Sequence, residues 1–240
     1  MPLADAALSA NLEDVRRRIA AAAGRAGRSP ASVRLIAVSK TFGAEHVREV
    51  AAAGQRAFGE NRVQEALDKI PQLAGLDLEW HLIGHLQSNK ARKAAAAFAW
   101  IESIDSIDLL RRVDQAAVEA GTQPNVLIQV DLAQESAKHG ADESGVRAIV
   151  DAAMAAHAVR LRGLMILPPF PTNPDDSRPW FVRLRTLRDR LVDGGVPAEH
   201  LAELSMGMSH DFEVAIEEGA TMVRVGTAIF GRRTVAAGPG

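Results

Sequence analysis

The chain contains no cysteine and no tyrosine, and these absences exclude several kinds of site. Without cysteine there is no disulfide framework, no thiolate metal site and no cysteine nucleophile. Lysine is also scarce, because arginine supplies most of the 28 basic residues. The missing tyrosine removes one common catalytic acid or base, which matters below for the choice between functions.

Long apolar runs are absent as well, since none has the length needed to cross a bilayer. The N-terminal region carries acidic residues and a run of three arginines before any long apolar stretch, which is not typical of a signal or transit peptide. The formal net charge of −2 argues against a basic surface for non-specific nucleic-acid binding. We therefore expect a cytoplasmic protein that binds neither nucleic acid nor a membrane.

The pattern of the remaining residues favours an α/β barrel. The chain has 240 residues, 47% hydrophobic and 24% charged, which is typical of a globular protein. After a helix predicted at residues 10–25, short apolar runs alternate with amphipathic segments. The strands are predicted at 33–39, 56–59, 78–83, 100–104, 125–131, 160–165, 201–205 and 222–225. The helices between them are predicted at 44–53, 61–70, 88–97, 106–120, 142–155, 177–192 and 209–218. Eight such units predict a single (β/α)8 TIM-type barrel domain over residues 1–240, with an additional N-terminal helix.

One irregular stretch, residues 168–179, follows the sixth predicted strand. In a barrel it would overhang the face at the carboxyl ends of the strands, where active sites lie. Two interpretations stay open for it, a lid and a stiff solvated loop.

Lys40 is the first candidate for chemistry, because it comes at the end of the first predicted strand. Desolvation there would lower the pKa of the amine and make it a better nucleophile toward an aldehyde. The alternative is a lysine that extends to solvent or pairs with a carboxylate.

A second group of candidates lies in the last two units. Ser209 is the expected N-cap of the helix at 209–218, and its hydroxyl with nearby amides would also suit a phosphate. Arg224 lies within the eighth predicted strand, and Gly226 and Thr227 follow it directly. Barrels often bind phosphate at the loops after strands seven and eight, so we expect a site for a phosphorylated aldehyde beside Lys40. For Ser209, helix capping alone is the alternative.

Three other features give weaker signals. His81 and His85 lie on a strand and its exit, roughly 13 Å apart, too far for one metal ion, so we expect core or rim histidines. The contiguous residues 209–211 cannot form a catalytic triad. The basic run at 88–93 is expected to be a solvated helix face, and no dinucleotide or P-loop fingerprint follows any strand.

Six motifs in order make the sequence similar to a known family. They are AVSKT (37–41), FGENRVQEA (58–66), HLIGHLQSNK (81–90), GLMILPP (163–169), LSMGMSHDFEVAI (204–216) and VRVGTAIFG (223–231). From about residue 10 to residue 233, the chain resembles the pyridoxal phosphate homeostasis proteins, which are related to the N-terminal barrel of alanine racemase. The resemblance implies a fold-type III protein that binds pyridoxal 5'-phosphate (PLP).

The resemblance also implies roles for individual residues. PLP would be held covalently as a Schiff base on Lys40, with Arg224 facing the pyridine nitrogen. The other residues implied to contact PLP are Ser209, Gly226 and Thr227 at its phosphate, Asn61 lining the cofactor and Met165 packing nearby. Arg62 departs from the family pattern, where many relatives carry tyrosine. Lys138 matches a family lysine and is either a secondary acceptor or a surface lysine.

Three functions are compatible with these residues. The first is a monomeric, non-catalytic protein that holds PLP and hands it to PLP-requiring apo-enzymes. The second is a PLP-dependent enzyme resembling an amino-acid racemase. Arg224 cannot donate a proton as a carboxylic acid does, although alanine racemase has the matching arginine, so Arg224 alone does not exclude a racemase. That racemase also uses a tyrosine base and a second domain, so we favour the first function. The third is a Schiff-base aldolase, for which Glu60 is the nearby candidate carboxylate.

Overall fold

Eight parallel strands close into a barrel in the computed structural model, which describes residues 3–133 and 139–231. The barrel strands are β1 (Arg34–Val38), β2 (Ala57–Glu60), β3 (Glu79–Leu82), β4 (Trp100–Ile104), β5 (Asn125–Asp131), β7 (Arg160–Ile166), β8 (Glu203–Met208) and β9 (Met222–Val225). Strand β1 pairs with both β2 and β9, and β4 pairs with β5, which completes the circle. The predicted (β/α)8 barrel is confirmed.

Helices surround the barrel. They are α1 (Leu3–Arg25), α2 (Ala44–Ala52), α3 (Val63–Lys69), α4 (Ala91–Ala97), α5 (Ile107–Ala120), α6 (Val146–Met154), α7 (Arg178–Asp193), α8 (Phe212–Glu217) and α9 (Thr227–Phe230). Among the described residues, no helix is both long and apolar enough to cross a membrane.

The strand residues divide into two apolar layers, because successive side chains of a strand point to opposite faces. A small cluster fills the barrel interior, and a much larger one lies between the strands and the helices. The interior cluster consists of Ile36, Ala57, Trp100, Leu127, Met165 and Met222. A residue two positions away from one of these along the same strand therefore also faces the interior or its mouth.

Helix α1 joins the first and last parts of the chain. It packs against α2, α8 and α9, and Arg18 pairs with Glu213 on α8 at 3.2 Å. The side-chain amide of Asn11 donates to the backbone carbonyl of Ile229 at 3.0 Å. The additional N-terminal helix is thus confirmed, although it begins seven residues earlier than the sequence predicted.

Several predicted boundaries are wrong near the end of the chain. Strand β8 runs to Met208 instead of ending at residue 205, and α8 begins at Phe212 instead of residue 209. A two-residue strand, β6 (Ala141–Asp142), and helix α9 were not predicted. The stretch 168–179 is partly regular, since a 3-10 turn with a capping box at Asn173 leads directly into α7.

Candidate functional site

Lys40 lies two residues past β1, at the carboxyl end of the barrel strands. The amide of Ser39 donates to the carbonyl of Gly59 at 3.0 Å, which continues the β1–β2 pairing toward Lys40 and Asn61. On the other side, Ala37 is in register with Val225, so Gly226 follows at the level of Val38. Lys40 therefore stands between the segments that carry Asn61 and Gly226. Its side chain is exposed, which agrees with the alternative of a lysine that extends to solvent and not with a desolvated amine.

The turn that carries Lys40 is held from the outside by helix α3. Thr41 has a positive φ of 71°, and its amide donates to the carboxylate of Glu65. The amine of Lys69 donates to the carbonyl of Ser39 at 2.8 Å. Lys69 is buried, and the sequence did not predict it as a site residue. In the sequence it is an ordinary polar residue at the end of a predicted helix.

Glu60 is engaged in the same outer cluster. Its Oε1 accepts from the hydroxyl of Ser39 and from the amine of Lys69, both at 2.6 Å. Burial raises the pKa of Glu60, against the opposing hydrogen bond from Lys69. Glu60 alternates with Ala57 and Gly59 along β2 and faces α3, away from the interior cluster. The aldolase hypothesis thus loses its candidate carboxylate at the mouth.

Ser209 and Gly226 are brought together, as expected for a shared anion site. The Oγ of Ser209 accepts from the amide of Gly226 at 3.1 Å and from the amide of Ala228 at 3.4 Å. The expected N-cap role of Ser209 on α8 is wrong, because Asp211 holds that position. The strand continues through Met208, and the carboxylate of Asp211 accepts from the amide of Met208 at 2.7 Å.

The donors around Ser209 suit a phosphate group. A Cβ on Gly226 would lie 3.2 Å from the carbonyl of Val38, so the loop passes close to β1, the strand that leads to Lys40. Thr227 is exposed directly after Gly226. The hydroxyl of Ser209 and the amides of Gly226 and Ala228 therefore meet next to β1, and such groups donate hydrogen bonds to phosphate oxygens.

Arg224 is buried in the barrel interior beneath these loops, with 3% of its surface exposed. One guanidinium nitrogen donates to the hydroxyl of Ser205, and the other donates to the carbonyl of Ile166 at 2.8 Å. The hydroxyl of Ser205 in turn donates to Glu102 at 2.6 Å. These contacts fix the orientation of Arg224. They also place the carboxylate of Glu102 nearby, with the hydroxyl of Ser205 between it and the guanidinium.

The polar contacts continue from Glu102 toward the opposite end of the barrel. The second oxygen of Glu102 lies 2.7 Å from Nδ1 of His81, and Nε2 of His81 lies 3.1 Å from Glu79. Glu79 accepts from Arg34 at 2.7 Å, at the amino end of β1. The His81 ring stacks on Trp100 with centroids 5.4 Å apart. We call this chain of contacts from Arg224 to Arg34 the interior network.

The interior network consists of charges that perturb one another. Burial lowers the pKa of Arg224, which Glu102 and Asp211 oppose. Burial alone would raise the pKa of Glu102, but the hydrogen bond and charge of His81 lower it overall. Burial alone would lower the pKa of His81, but its carboxylate partners raise it overall. The pKa of Glu79 falls to about 2, chiefly through the hydrogen bond with His81.

Apart from Arg224, the members of the interior network were not identified as functional residues from the sequence. A signal was present, since Glu102 and Ser205 are polar residues at inward positions of otherwise apolar strands. Their partners lie too far along the chain for a local pattern to show them, because 103 residues separate Ser205 from Glu102.

The remaining candidates lie around the same interior. Met165 is fully buried in the interior cluster and precedes Ile166, whose carbonyl binds Arg224. Asn61 is half-buried at the mouth, where its backbone packs directly on Gly84. Arg62, which departs from the family pattern, is exposed beside Asn61. Lys138 lies outside the described residues.

The weaker sequence signals have the expected outcome. His81 is fully buried in the barrel and His85 is exposed at its rim, which are the positions expected from the sequence. The basic run at 88–93 is mostly exposed, which confirms a solvated face.

Comparison with known proteins assigns the family. The family described as "Alanine racemase, N-terminal domain" matches residues 8–234. A pyridoxal phosphate homeostasis protein of Aquifex aeolicus is 43% identical over 223 residues, 92% of this chain and 96% of that protein. One of Pseudomonas aeruginosa is 45% identical over 227 residues, 94% and 96% of the two chains. The structure of PipY of Synechococcus elongatus PCC7942 with PLP bound is similar with a TM-score of 0.83 and 43% identity, covering 93% of this chain and 100% of that chain. The chain therefore belongs to the alanine racemase N-terminal domain family, within its group of pyridoxal phosphate homeostasis proteins.

Proposed function

We propose that this chain binds PLP at the carboxyl-end face of its barrel and serves PLP homeostasis by holding the cofactor without robust catalysis. The observation that carries the proposal is the hydrogen bond between Ser209 and the amide of Gly226, on the loop beside β1 and Lys40. A phosphate-binding set of donors next to an exposed amine suits a ligand that has both a phosphate and an aldehyde.

Each candidate residue has a place in this proposal. Ser209, Gly226 and Thr227 bind the phosphate through hydroxyl and amide groups. Bound PLP would supply a reactive aldehyde, and Lys40 is the residue that would hold it covalently through its amine. Asn61 lines the site on the β2 side, and Met165 supplies apolar packing beneath it.

Arg224 is the residue that we propose faces the pyridine nitrogen. Its guanidinium is fixed by Ser205 and by the carbonyl of Ile166, so it offers hydrogen bonds without giving up a proton. A cation at this position disfavours protonation of the ring and weakens the ring as an electron sink. A weak electron sink disfavours PLP chemistry in general, and the absence of tyrosine from the chain supports holding PLP over amino-acid racemisation in particular.

The exposure of Lys40 also suits a carrier, because an accessible attachment point lets the cofactor leave toward another protein. Transfer to PLP-requiring apo-enzymes is part of the proposal. The monomeric state, the cytoplasmic location and the single-domain organisation stay predictions from the sequence.

Borohydride trapping tests the attachment site. The purified chain is loaded with PLP, reduced and digested, and peptide mass spectrometry locates the pyridoxyl group. We expect the adduct on Lys40, and we expect Lys40→Arg to abolish it. Lys93→Arg is the matched control, since Lys93 is an exposed lysine away from the candidate site, and it should keep the adduct. An adduct found only on another lysine would overturn the assignment.

A further inference from the structure

Two histidines and an aspartate from three separate segments meet at the rim of the barrel. His85 follows β3, Asp105 follows β4, and His139 follows β5. One ligand atom of each lies within 4.8 Å of the others, and Nδ1 of His85 is 3.6 Å from Oδ2 of Asp105. The two imidazole rings stack with centroids 3.5 Å apart. We call these three residues the rim cluster.

The rim cluster is held by contacts outside itself. The hydroxyl of Ser106 donates to Oδ1 of Asp105 at 3.2 Å, which leaves Oδ2 directed toward His85. Gln129 is a buried residue of β5, and its side-chain amide donates to the backbone carbonyl of His139. Gly140 packs so closely on β5 that an added Cβ would lie 2.7 Å from the amide of Asp131. The backbone that carries His139 is therefore anchored to the barrel.

We propose that His85, Asp105 and His139 form a binding site for a divalent transition-metal ion of the zinc or cobalt type. Two imidazoles and one carboxylate are ligands that such ions prefer, whereas magnesium and calcium prefer oxygen ligands alone. Bonds of about 2.0–2.2 Å in tetrahedral geometry place neighbouring ligand atoms roughly 3.3–3.6 Å apart. The separation of 3.6 Å between His85 and Asp105 already meets that requirement.

Small side-chain rotations complete the geometry. Stacked rings do not both direct a nitrogen lone pair at one ion, so at least one imidazole must turn. Both histidines are exposed, which leaves room for that rotation. Three protein ligands leave a fourth position open to water or to a small anionic ligand, as in metal sites that exchange ligands.

The rim cluster lies on the same face of the barrel as the candidate PLP site. His85 follows Gly84, and Gly84 packs on the backbone of Asn61. A metal ion here would thus place a positive charge on the β3–β5 side of the mouth, across from the segment that carries Ser209. The inference does not depend on the proposed PLP-binding function, because the metal ligands are separate residues.

Cobalt and zinc binding test the inference directly. An untagged, chelator-treated chain is titrated with Co²⁺ and followed by visible absorption, and Zn²⁺ binding is measured by equilibrium dialysis. We expect one ion per chain, with or without PLP. Because each histidine supplies a bond to the ion, His85→Ala and His139→Ala should each weaken binding about tenfold or more. Asp105→Asn should weaken it as well.

Matched controls keep the test specific. His157 is exposed and lies outside the rim cluster, so His157→Ala should bind both ions as the parent does. Circular dichroism checks that each variant keeps its fold. Absence of Zn²⁺ and Co²⁺ binding in the parent would overturn the inference, as would His85→Ala and His139→Ala variants that bind as tightly as the parent. Trapping of PLP on Lys40 is unaffected by either result, so the two proposals fail separately.

Discussion

Lys40 owes its position to its neighbours along the chain. Thr41 adopts a left-handed conformation that costs a non-glycine residue about 1–2 kcal/mol, so the surrounding structure must enforce it. Glu65 accepts from the amide of Thr41, and Lys69 donates to the carbonyl of Ser39. The exposed amine at the mouth thus stands on a turn whose backbone is held by α3.

Glu102 is the residue on which the interior network depends. It is fully buried and lies between the guanidinium of Arg224 and the imidazole of His81. Removing one partner of a buried ion pair leaves an uncompensated charge, which costs about 3–5 kcal/mol. We expect Glu102→Gln to lower the free energy of unfolding by about that amount, measured by urea denaturation near pH 7.

An exposed carboxylate provides the control for Glu102. Asp108 pairs with Arg112 at 3.0 Å, and 76% of its side chain is exposed. Exposed pairs contribute little, so Asp108→Asn should change the free energy of unfolding by less than about 1 kcal/mol. Equal losses in the two variants would contradict the view that burial makes Glu102 important.

At the level of elements, strands that are mostly apolar were predictable, and short or turn-like segments were not. Strands β4, β5 and β9 have the predicted bounds, because mostly apolar runs flanked by turn residues are typical of strands buried on both faces. The end of β8 was mispredicted because Gly207 has a φ of +92° and the register of β8 shifts there, so the segment resembles a turn. Helix α9 has four residues, too few for a periodic pattern.

The candidate site likewise has some residues that the sequence predicted and others that it did not. The end of β1 marked Lys40, and the loops after the last two strands marked Ser209 and Gly226, since barrels place functional groups there. The rim cluster and the interior network depend on pairings between distant strands. His85 and His139 are not linked by any local spacing, so only the folded chain brings them together.

The irregular end of β8 yields a prediction about Gly207. A Cβ added there would lie 2.9 Å from the Cα of Phe212, and the positive φ is itself unfavourable for alanine. The contact with Phe212 and the positive φ each require the backbone to move. We therefore expect Gly207→Ala to lower the free energy of unfolding by about 2–4 kcal/mol. The measurement is urea denaturation, with the PLP spectrum as a second readout because Ser209 follows two residues later.

Gly145 is the matched control for Gly207. It has an ordinary φ of −88°, and an added Cβ would meet no atom within 4 Å. Alanine there should change the free energy of unfolding by less than about 1 kcal/mol in either direction. If Gly207→Ala were as mild as Gly145→Ala, the positive φ and the close approach to Phe212 at Gly207 would not be the constraint that we describe.

At the scale of the whole molecule, the interior network connects the two ends of the barrel. Arg224 lies beneath the candidate PLP site, and Arg34 lies at the opposite end of the strands. The network crosses the interior from β8 and β9 to β3 and β4, and its His81 stacks on Trp100 of the apolar cluster. The same titrating groups therefore affect both the stability of the folded chain and the electrostatic environment of the mouth.

Glu79 makes this dependence measurable. Its pKa in the folded chain is about 2, below its ordinary value of 4.5, so its stabilising contribution is complete above pH 4.5 and is lost as the pH falls toward 2. His81 has a raised pKa, so its contribution is complete below 6.5 and is lost only as the pH rises. We therefore expect the stability difference between the parent and Glu79→Gln to shrink steadily as the pH falls from 4.5 to 2, measured by urea denaturation at a series of pH values. Asp77→Asn, at an exposed position, should follow the parent over the same range. A Glu79→Gln variant with the parent's full acid sensitivity would show that Glu79 does not couple the network to pH.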